Sequence, residues 1–208
     1  MKIISHRGYW INQNEQNSYH AFHRALESGF GIETDIRDHN GLLVISHNPA
    51  SGKEMPARKF IELCTKYRGA GPLALNIKSD GLANLIAAEL IRHDISDYFI
   101  FDMSFPDMLS YIKLNLATFA RISEYEKPPT LINKCAGIWL DMFNHDWPSE
   151  AYIKSLIKTT KVCLVSPELH NREHQPLWAL IKNSQLYKSQ SLYLCTDYPQ
   201  EARDYFND

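Results

Sequence analysis

The sequence lacks the features that mark membrane proteins and highly charged proteins. No apolar run approaches the ~18 residues that a bilayer-spanning helix needs, so we expect no integral membrane segment. The 208 residues also lack an excess of either charge, because 22 basic and 24 acidic residues leave a formal net charge of −2. No overall field therefore draws nucleic acid or an anionic surface to the chain. Any anion that it binds must be met by a local cluster of cations.

Cysteine is scarce and shows no pairing pattern. The four cysteines are Cys64, Cys135, Cys163 and Cys195; they form no C-x-x-C pair, and most of them lie in apolar runs. This pattern predicts reduced thiols in a reducing compartment. Residues 2–6 turn polar too quickly for a secretory signal, so we expect a cytoplasmic protein.

Strand-like runs alternate with helix-period segments along the whole chain, and 44% apolar residues suffice for a core. The candidate strands are 2–7, 32–38, 72–78, 98–103, 117–123, 137–142, 161–168 and 192–197. The candidate helices are 18–29, 56–67, 81–92, 106–115, 149–158, 175–183 and 199–206, with a poorly marked one in 128–135. This alternation predicts one α/β domain over residues 1–208, a compact (β/α)8 TIM barrel. An open doubly wound sheet is the alternative, but no glycine-rich loop follows the first strand.

Two acids share one face of the second candidate strand. Glu33 and Asp35 alternate with apolar neighbours, and strand side chains alternate between faces. The apolar face packs against helices, so the acids should point toward the barrel axis. Buried carboxylates need a cation or a hydrogen-bonding partner, and their oxygens suit Mg²⁺ or Ca²⁺. The alternative is a pair of buried salt bridges to Arg7 and Lys78.

Polar residues also end the first and third strands. His6 and Arg7 end the first, and Asn76 and Lys78 share a face of the third. The C-terminal ends of barrel strands carry the active site. Arg7 could direct two donors at a phosphate, and Lys78 could add a point charge.

His47 follows a hairpin that the dipeptide Asn40-Gly41 predicts after the second strand. Its register decides whether His47 reaches the acids. A two-residue loop would put residue 47 opposite residue 34, on the wrong face. A three-residue loop over 39–41, with a bulge at a left-handed Gly41, would put it opposite residue 33. We predict the three-residue loop and a hairpin extension of the barrel.

Two histidines beside a metal and two cations make a coherent phosphoryl-transfer site. One imidazole can deprotonate the nucleophile while the other protonates the leaving alkoxide, because both forms exist near pH 7. The motifs G-x-S-x-G and H-E-x-x-H are absent, which argues against a serine triad and a zinc site. Trp139, Asp141 and Glu168 are further candidates for a substrate pocket. Trp139 could stack on a glycerol or sugar group, or fill the barrel core instead.

These residues resemble the glycerophosphodiester phosphodiesterase family, part of a TIM-barrel group that includes phosphatidylinositol-specific phospholipases C. The matching segments are His6-Arg7-Gly8, 17–25, 31–36 and 41–48, with patchier matches at 104–105 and 196–199. The resemblance implies a phosphoric diester hydrolase that cleaves a small glycerophosphodiester or similar head-group ester. It also implies that a divalent metal, Mg²⁺ or Ca²⁺, is the cofactor. The implied roles are catalysis for His6 and His47, metal ligation for Glu33 and Asp35, and phosphate contact for Arg7 and Lys78.

The chain departs from the family pattern at three places. Asn76 stands where the family has a third metal carboxylate; its oxygen can still ligate, and Asp102, Asp141 or Glu168 could compensate. Gln16 stands in place of a glutamate in the first loop. The segment between His47 and the third strand is short, which predicts an open pocket.

Two other functions stay open on the sequence. One is a lyase-type reaction that leaves a cyclic phosphate, and the other is a degenerate barrel that binds a phosphorylated ligand without turnover. The sequence does not indicate the leaving alcohol, the preferred metal or the oligomeric state.

Overall fold

The computed structural model of the protein describes residues 1–126, 131–144 and 148–207. The strands in these residues are β1 (Lys2–His6), β2 (Gly31–His39), β3 (Leu42–Ile45), β4 (Met55–Pro56), β5 (Leu73–Ile77), β6 (Tyr98–Phe101), β7 (Phe119–Ile122), β8 (Gly137–Leu140), β9 (Lys161–Val165) and β10 (Leu192–Thr196). The helices are α1 (Tyr19–Glu27), α2 (Ala57–Thr65), α3 (Ala83–Arg92), α4 (Phe105–Lys113), α5 (Glu150–Ile157), α6 (Gln175–Asn183) and α7 (Pro199–Asn207). All eight candidate strands and the seven well-marked candidate helices are confirmed, with small shifts at their ends.

Eight parallel strands form a ring in the order β1, β2, β5, β6, β7, β8, β9 and β10, and β10 pairs with β1. Between β6 and β7 the pairing narrows to one parallel bridge, Ile100 with Thr118, and Ile100 N donates to Ala117 O at 2.8 Å. The TIM barrel is therefore confirmed. The weakly marked helix of residues 128–135 is a single 3₁₀ turn, Ile132–Lys134, and residues 128–130 lie outside the described part.

Alternate residues of each strand fill two separate apolar layers. The inward residues, such as Phe99 and Phe119, stack inside the barrel with ring centroids 3.9 Å apart. The outward residues, such as Ile32 and Leu75, pack against the helices. This division follows the two-residue period of a strand, and each fully buried large apolar side chain contributes roughly 1.5–3 kcal/mol.

Serine side chains start three of the outer helices. Ser18, Ser104 and Ser149 each accept a hydrogen bond from the backbone N–H three residues later, at 3.2, 3.4 and 3.3 Å. Each bond satisfies a donor that the first helical turn leaves without a partner. No helix within the described ranges has both the length and the apolar character that a bilayer crossing requires.

The hairpin between β2 and β3 is tighter than the sequence analysis predicts. His39 pairs with Leu42, so only Asn40 and Gly41 form the turn, with φ of 49° and 77°. Two consecutive residues with positive φ are typical of a type I′ turn, whose twist matches that of the two strands. Asparagine and glycine both tolerate the left-handed region of φ and ψ. The prediction of a three-residue loop is therefore wrong. The observed register continues through Ser46 N, which donates to Asp35 O at 3.0 Å, and it puts position 47 opposite position 34.

Candidate active site

Three neighbouring strands bring six polar side chains to one sector of the barrel mouth. The register of β1 with β2 pairs His6 with Glu33, and that of β2 with β5 pairs Asp35 with Asn76. Directly paired residues point to the same side of a sheet. The six residues are His6, Arg7, Glu33, Asp35, Asn76 and Lys78; the sequence analysis expects His47 in the same group.

Glu33 is a buried carboxylate with a perturbed proton affinity. Its exposed fraction is 1%, and it accepts hydrogen bonds from Arg7 N and Asn76 Nδ2, both at 3.2 Å. Burial raises the pKa of Glu33, and the neighbouring charge of Asp35 raises it further. No lysine or arginine side chain of the described residues lies within 4 Å of this carboxylate. A cation at this position would offset its desolvation.

Asp35 is fully buried and surrounded by donors. Asn17 Nδ2 donates to its Oδ2 at 2.8 Å, Arg7 Nε lies 3.1 Å from the same oxygen, and Lys78 Nζ lies 3.4 Å from Oδ1. The salt-bridge alternative is thus what the structure has at Asp35. Glu33 feels these two cations only from beyond 4 Å, where their charges lower its pKa less than burial and Asp35 raise it.

A left-handed turn aims Arg7 at this group. Arg7 has a φ of 55° and Gly8 a φ of 86°. A Cβ at Gly8 would lie 2.9 Å from the Cβ of Ala21, so only glycine fits where the first loop crosses α1. Arg7 Nη1 donates to Gln16 Oε1 at 3.2 Å. Gln16, which departs from the family pattern, therefore accepts a hydrogen bond that holds the Arg7 side chain in place.

His6 is held by an acid from the last strand of the ring. Its Nδ1 lies 2.7 Å from Asp197 Oδ1, and its Nε2 lies 3.9 Å from Glu33 Oε2. Burial lowers the pKa of His6, but the hydrogen bond with Asp197 and the charges of both acids outweigh burial, so the pKa is raised. Glu168 Oε1 accepts from Asp197 N at 3.1 Å and fixes the end of β10. A carboxylate on one ring nitrogen orients the imidazole and leaves the other for chemistry.

His47 is not joined to the group. Its side chain is exposed, its Nδ1 lies 3.2 Å from Asn48 Oδ1, and its carbonyl accepts from Arg37 Nη2. Within the described residues, no carboxylate lies within 4 Å of its imidazole nitrogens. The two-residue hairpin turn sets the register in which residue 47, when the pairing is extended past the end of β3, lies opposite residue 34 and not residue 33.

The three candidates for a substrate pocket have different surroundings. Trp139 is 3% exposed and stacks on Phe101 at 3.8 Å between ring centroids, so it fills the barrel as the core alternative predicts. Asp141 lies at the end of β8, with Oδ1 2.6 Å from His170 Nε2. Glu168 supports β10 through its contact with Asp197.

A series of ion pairs runs from Lys78 to Asp102 and Arg121 along the mouth. Lys78 Nζ lies 3.8 Å from Asp102 Oδ2, and Arg121 Nη1 donates to Asp102 Oδ1 at 2.8 Å. Burial raises the pKa of Asp102. Both carboxylate oxygens of this acid, a candidate to replace the third metal carboxylate, therefore face cations.

The sequence analysis assigns no role to two residues that the structure places in the site, Asn17 and Asp197. Asp197 had a usable signal, because the last strand of a closed barrel must pair with the first. Asn17 had none, since its side chain reaches Asp35 from a loop conformation with φ of 58°.

The fold of the chain is similar to that of several solved structures. No protein-family model matches the chain, and no curated protein matches it in sequence. A candidate glycerophosphodiester phosphodiesterase from Galdieria sulphuraria superimposes with a TM-score of 0.76 at 13% identity, covering 100% of this chain and 98% of that one. The enzyme from Agrobacterium tumefaciens str. C58 gives 0.66 at 15% identity and full coverage of both chains. The chain has the glycerophosphodiester phosphodiesterase fold. A Ca²⁺-dependent phosphatidylinositol-specific phospholipase C from Streptomyces antibioticus is also similar, with a TM-score of 0.54, 12% identity, and 99% and 95% coverage.

The mouth of this glycerophosphodiester phosphodiesterase fold offers oxygen atoms to a hard cation. Asn76 Oδ1 and Asp35 Oδ1 are buried without hydrogen-bond partners, although Lys78 Nζ lies 3.4 Å from the Asp35 oxygen, and Glu33 lies beside them. Such carboxylate and amide oxygens are the ligands that Mg²⁺ and Ca²⁺ prefer. No group of three or more His, Cys, Asp or Glu in the described ranges is arranged to hold a metal, so the set has two carboxylates and one amide. The donor chemistry fits, with one charge fewer than a three-carboxylate site.

Proposed function

We propose that the protein is a metal-dependent phosphoric diester hydrolase acting on a small glycerophosphodiester or a similar head-group ester. One observation carries the proposal: an imidazole held by an acid, two buried carboxylates and two cations meet at one sector of the mouth. Active sites of TIM barrels lie at the C-terminal ends of the strands, which supports an active site at this position. The balanced charge and the free cysteines support a small soluble substrate and a cytoplasmic location over a nucleic acid partner.

Arg7 and Lys78 would bind the phosphate. Arg7 lies beside one carboxylate oxygen of Asp35 and Lys78 beside the other, so both positive charges lie near Asp35. The phosphoryl oxygens of a substrate would bind between them. A planar guanidinium supplies paired donors and an ammonium adds a point charge. Glu33, Asp35 and Asn76 would hold the divalent cation, which when bound would polarise a phosphoryl oxygen.

His6 would be the base. Its Nδ1 donates to Asp197, so Nε2 can take a proton from the attacking water as the water oxygen bonds to phosphorus. The bond to the leaving alcohol then breaks, and the alkoxide takes a proton from His47. His47 would lie at the rim of the mouth in the free protein and approach the leaving oxygen only when substrate is bound. Catalytic hydrogen bonds are often long in unliganded enzymes and shorten in the substrate complex.

Hydrolysis of bis(p-nitrophenyl) phosphate and glycerophosphocholine with Mg²⁺, Mn²⁺ or Ca²⁺ tests the proposal. We expect turnover that a chelator abolishes, and a loss of about 10²–10⁴-fold in kcat for His6→Gln. His23→Gln is the matched control, because this histidine pairs with Glu27 on α1, away from the mouth. Equal losses in both variants would contradict a catalytic role for His6.

A cyclising reaction is the second candidate, favoured by the similarity to a phospholipase C structure. A neighbouring substrate hydroxyl would attack phosphorus in place of water. Phosphorus NMR of the products separates the two reactions, since a cyclic phosphate that persists indicates the lyase.

A barrel that only binds a phosphorylated ligand is the third candidate, favoured by Asn76 and by the exposed position of His47. Glycerol phosphate would then bind with an affinity that falls in Arg7→Ala. No metal would produce turnover of either diester.

A further inference from the structure

Asn17 joins the first loop of the mouth to the strand that carries both buried acids. Its backbone N donates to Arg7 O at 2.9 Å, so Asn17 is tied to the turn that follows β1. Its side chain reaches β2, where Nδ2 donates to Asp35 Oδ2 at 2.8 Å and Oδ1 accepts from Thr34 Oγ1 at 2.8 Å. Successive side chains of a strand point to opposite faces, so one amide bonds to both faces of β2.

The carboxylate of Asp35 decides which way round this amide lies. A carboxylate accepts and does not donate, so the NH2 group of Asn17 faces Asp35 and the amide oxygen faces the Thr34 hydroxyl. Thr34 is fully buried, so water does not compete for this hydroxyl. The amide is therefore hydrogen-bonded at both ends and held in one orientation.

The two carboxylate oxygens of Asp35 have different surroundings. Oδ2 accepts from Asn17 and lies 3.1 Å from Arg7 Nε. Within the described part of the chain, Oδ1 is buried without a hydrogen bond and has Lys78 Nζ at 3.4 Å. Any rotation of the carboxylate about its Cβ–Cγ bond moves Oδ2 away from Asn17 and Arg7. These two contacts therefore also fix the position of Oδ1.

The two donors on Oδ2 differ in what a substrate would do to them. Arg7 is the proposed phosphate ligand, so its contact with Asp35 would be shared with a bound substrate. The contact from Asn17 would remain when a phosphate binds. Asn17 is thus the donor that keeps Asp35 in the same orientation with and without substrate.

A fixed ligand oxygen matters in a site that has few charges. Asn76 stands where the family has a third carboxylate, so charge attracts a cation less strongly here. Ligands that hydrogen bonds already orient lose less freedom when the ion binds, and this offsets part of the missing attraction. The bonds of Asn17 to Thr34 and Asp35 provide that order in the free protein.

We propose that Asn17 is a positioning residue of the metal site: its amide, oriented by Thr34, holds Asp35 so that Oδ1 is the oxygen that binds the cation. This inference rests on the proposed function, because it assumes that Glu33, Asp35 and Asn76 hold a divalent metal. Asn17 acts through Asp35 and binds neither the ion nor the phosphate.

Glycine at position 17 tests the role of the amide. Asn17→Gly removes the side chain and keeps the backbone, because Asn17 has a φ of 58° and glycine adopts that region freely. We expect calorimetric titration with Mg²⁺ or Ca²⁺ to show about 10–100-fold weaker binding than in wild type, the usual cost of losing a partner that orients a metal ligand. Asn115→Gly is the matched control and should keep the wild-type affinity, since this exposed asparagine has a φ of 55°.

Two substitutions at Thr34 separate the orientation of the amide from packing. Thr34→Val has nearly the same shape but lacks the hydroxyl, so metal binding should weaken, by a smaller factor than in Asn17→Gly. Thr34→Ser keeps the hydroxyl and lacks the methyl group. It should lower the melting temperature in chelator and leave the metal affinity unchanged. If Thr34 served packing alone, serine would be the more damaging substitution in both measurements.

Equal metal affinities in wild type and Asn17→Gly overturn the inference, as does the same loss in Asn115→Gly. If Asn17→Gly fails to fold, the two Thr34 variants decide, because equal affinities in Thr34→Val and Thr34→Ser overturn it as well. A wild-type protein that binds neither ion contradicts the proposed metal-dependent hydrolase itself. Wild-type binding that Asn17→Gly retains in full contradicts the positioning role alone.

Discussion

The Nδ1 atom of His6 lies 2.7 Å from a carboxylate oxygen of Asp197, although 191 positions separate the two residues. The contact exists because β1 and β10 are neighbours in the closed ring, with Ser5 beside Thr196. The first and last strands therefore build the candidate base together. An open sheet would leave the imidazole without its acid.

Asp197→Asn should lower the pKa of His6. The hydrogen bond with Asp197 and its charge both raise this pKa, so removing the charge lets the opposing effect of burial prevail. Titration of the His6 ring protons by NMR measures the change directly. If His6 is the base, the acidic limb of the pH–rate profile moves to lower pH and kcat falls about 10–100-fold. An unmoved ring titration would count against the assignment.

Glu33→Gln should stabilise the metal-free protein at neutral pH. The folded-state pKa of Glu33 is raised, so its protonated form favours folding at low pH, and stability is lost as pH rises through that pKa. We expect the variant to exceed wild type by about 1 kcal/mol or more in the free energy of unfolding at pH 8. The two proteins should converge near pH 4. Urea titrations in chelator at both pH values provide the comparison, and equal stability at pH 8 would contradict a buried, uncompensated charge.

Asn76→Asp should strengthen metal binding and weaken the metal-free fold. The substitution adds a third carboxylate and removes the hydrogen bond from Asn76 Nδ2 to Glu33. We expect about tenfold tighter binding of Mg²⁺ or Ca²⁺ by calorimetry, because affinity at oxygen sites follows ligand charge. The melting temperature in chelator should fall. Asn84→Asp, at an exposed position of α3, is the control for added charge alone, and an equal gain there would point to nonspecific attraction.

Trp139→Ala should destabilise the protein by about 3–5 kcal/mol, because it empties the stacked interior of the barrel. Trp139→Phe keeps an aromatic ring and should cost less. Since the indole is buried, KM should change little in the phenylalanine variant. Denaturant titration and steady-state kinetics measure the two effects, and a large rise in KM with unchanged stability would instead indicate substrate stacking.

The barrel and the first half of the site could be predicted because both follow from local patterns. The two-residue period alone places Glu33 and Asp35 on the inner face, and the same period in β5 adds Asn76. Strand order in a closed ring then brings the three strand ends together.

The hairpin could not be predicted in the same way, because two turns compatible with Asn40 and Gly41 differ by one residue in register. That one residue decides whether position 47 falls opposite position 33 or position 34 when the pairing is extended past β3. The partner of His170 was equally out of reach, since a 3₁₀ turn after β9 determines it. Loops without periodicity carry this information only in three dimensions.

The single bridge between β6 and β7 has a mechanical consequence. Each of the other seams around the ring is a ladder of three or more paired residues, whereas Ile100 and Thr118 are the one bridged pair at this seam. A ring under thermal strain opens where the fewest hydrogen bonds must break. The amide of Ile100 should therefore exchange with deuterium faster than the amides of its neighbours in β6. The strands beside Arg121 should separate before the strands that carry His6.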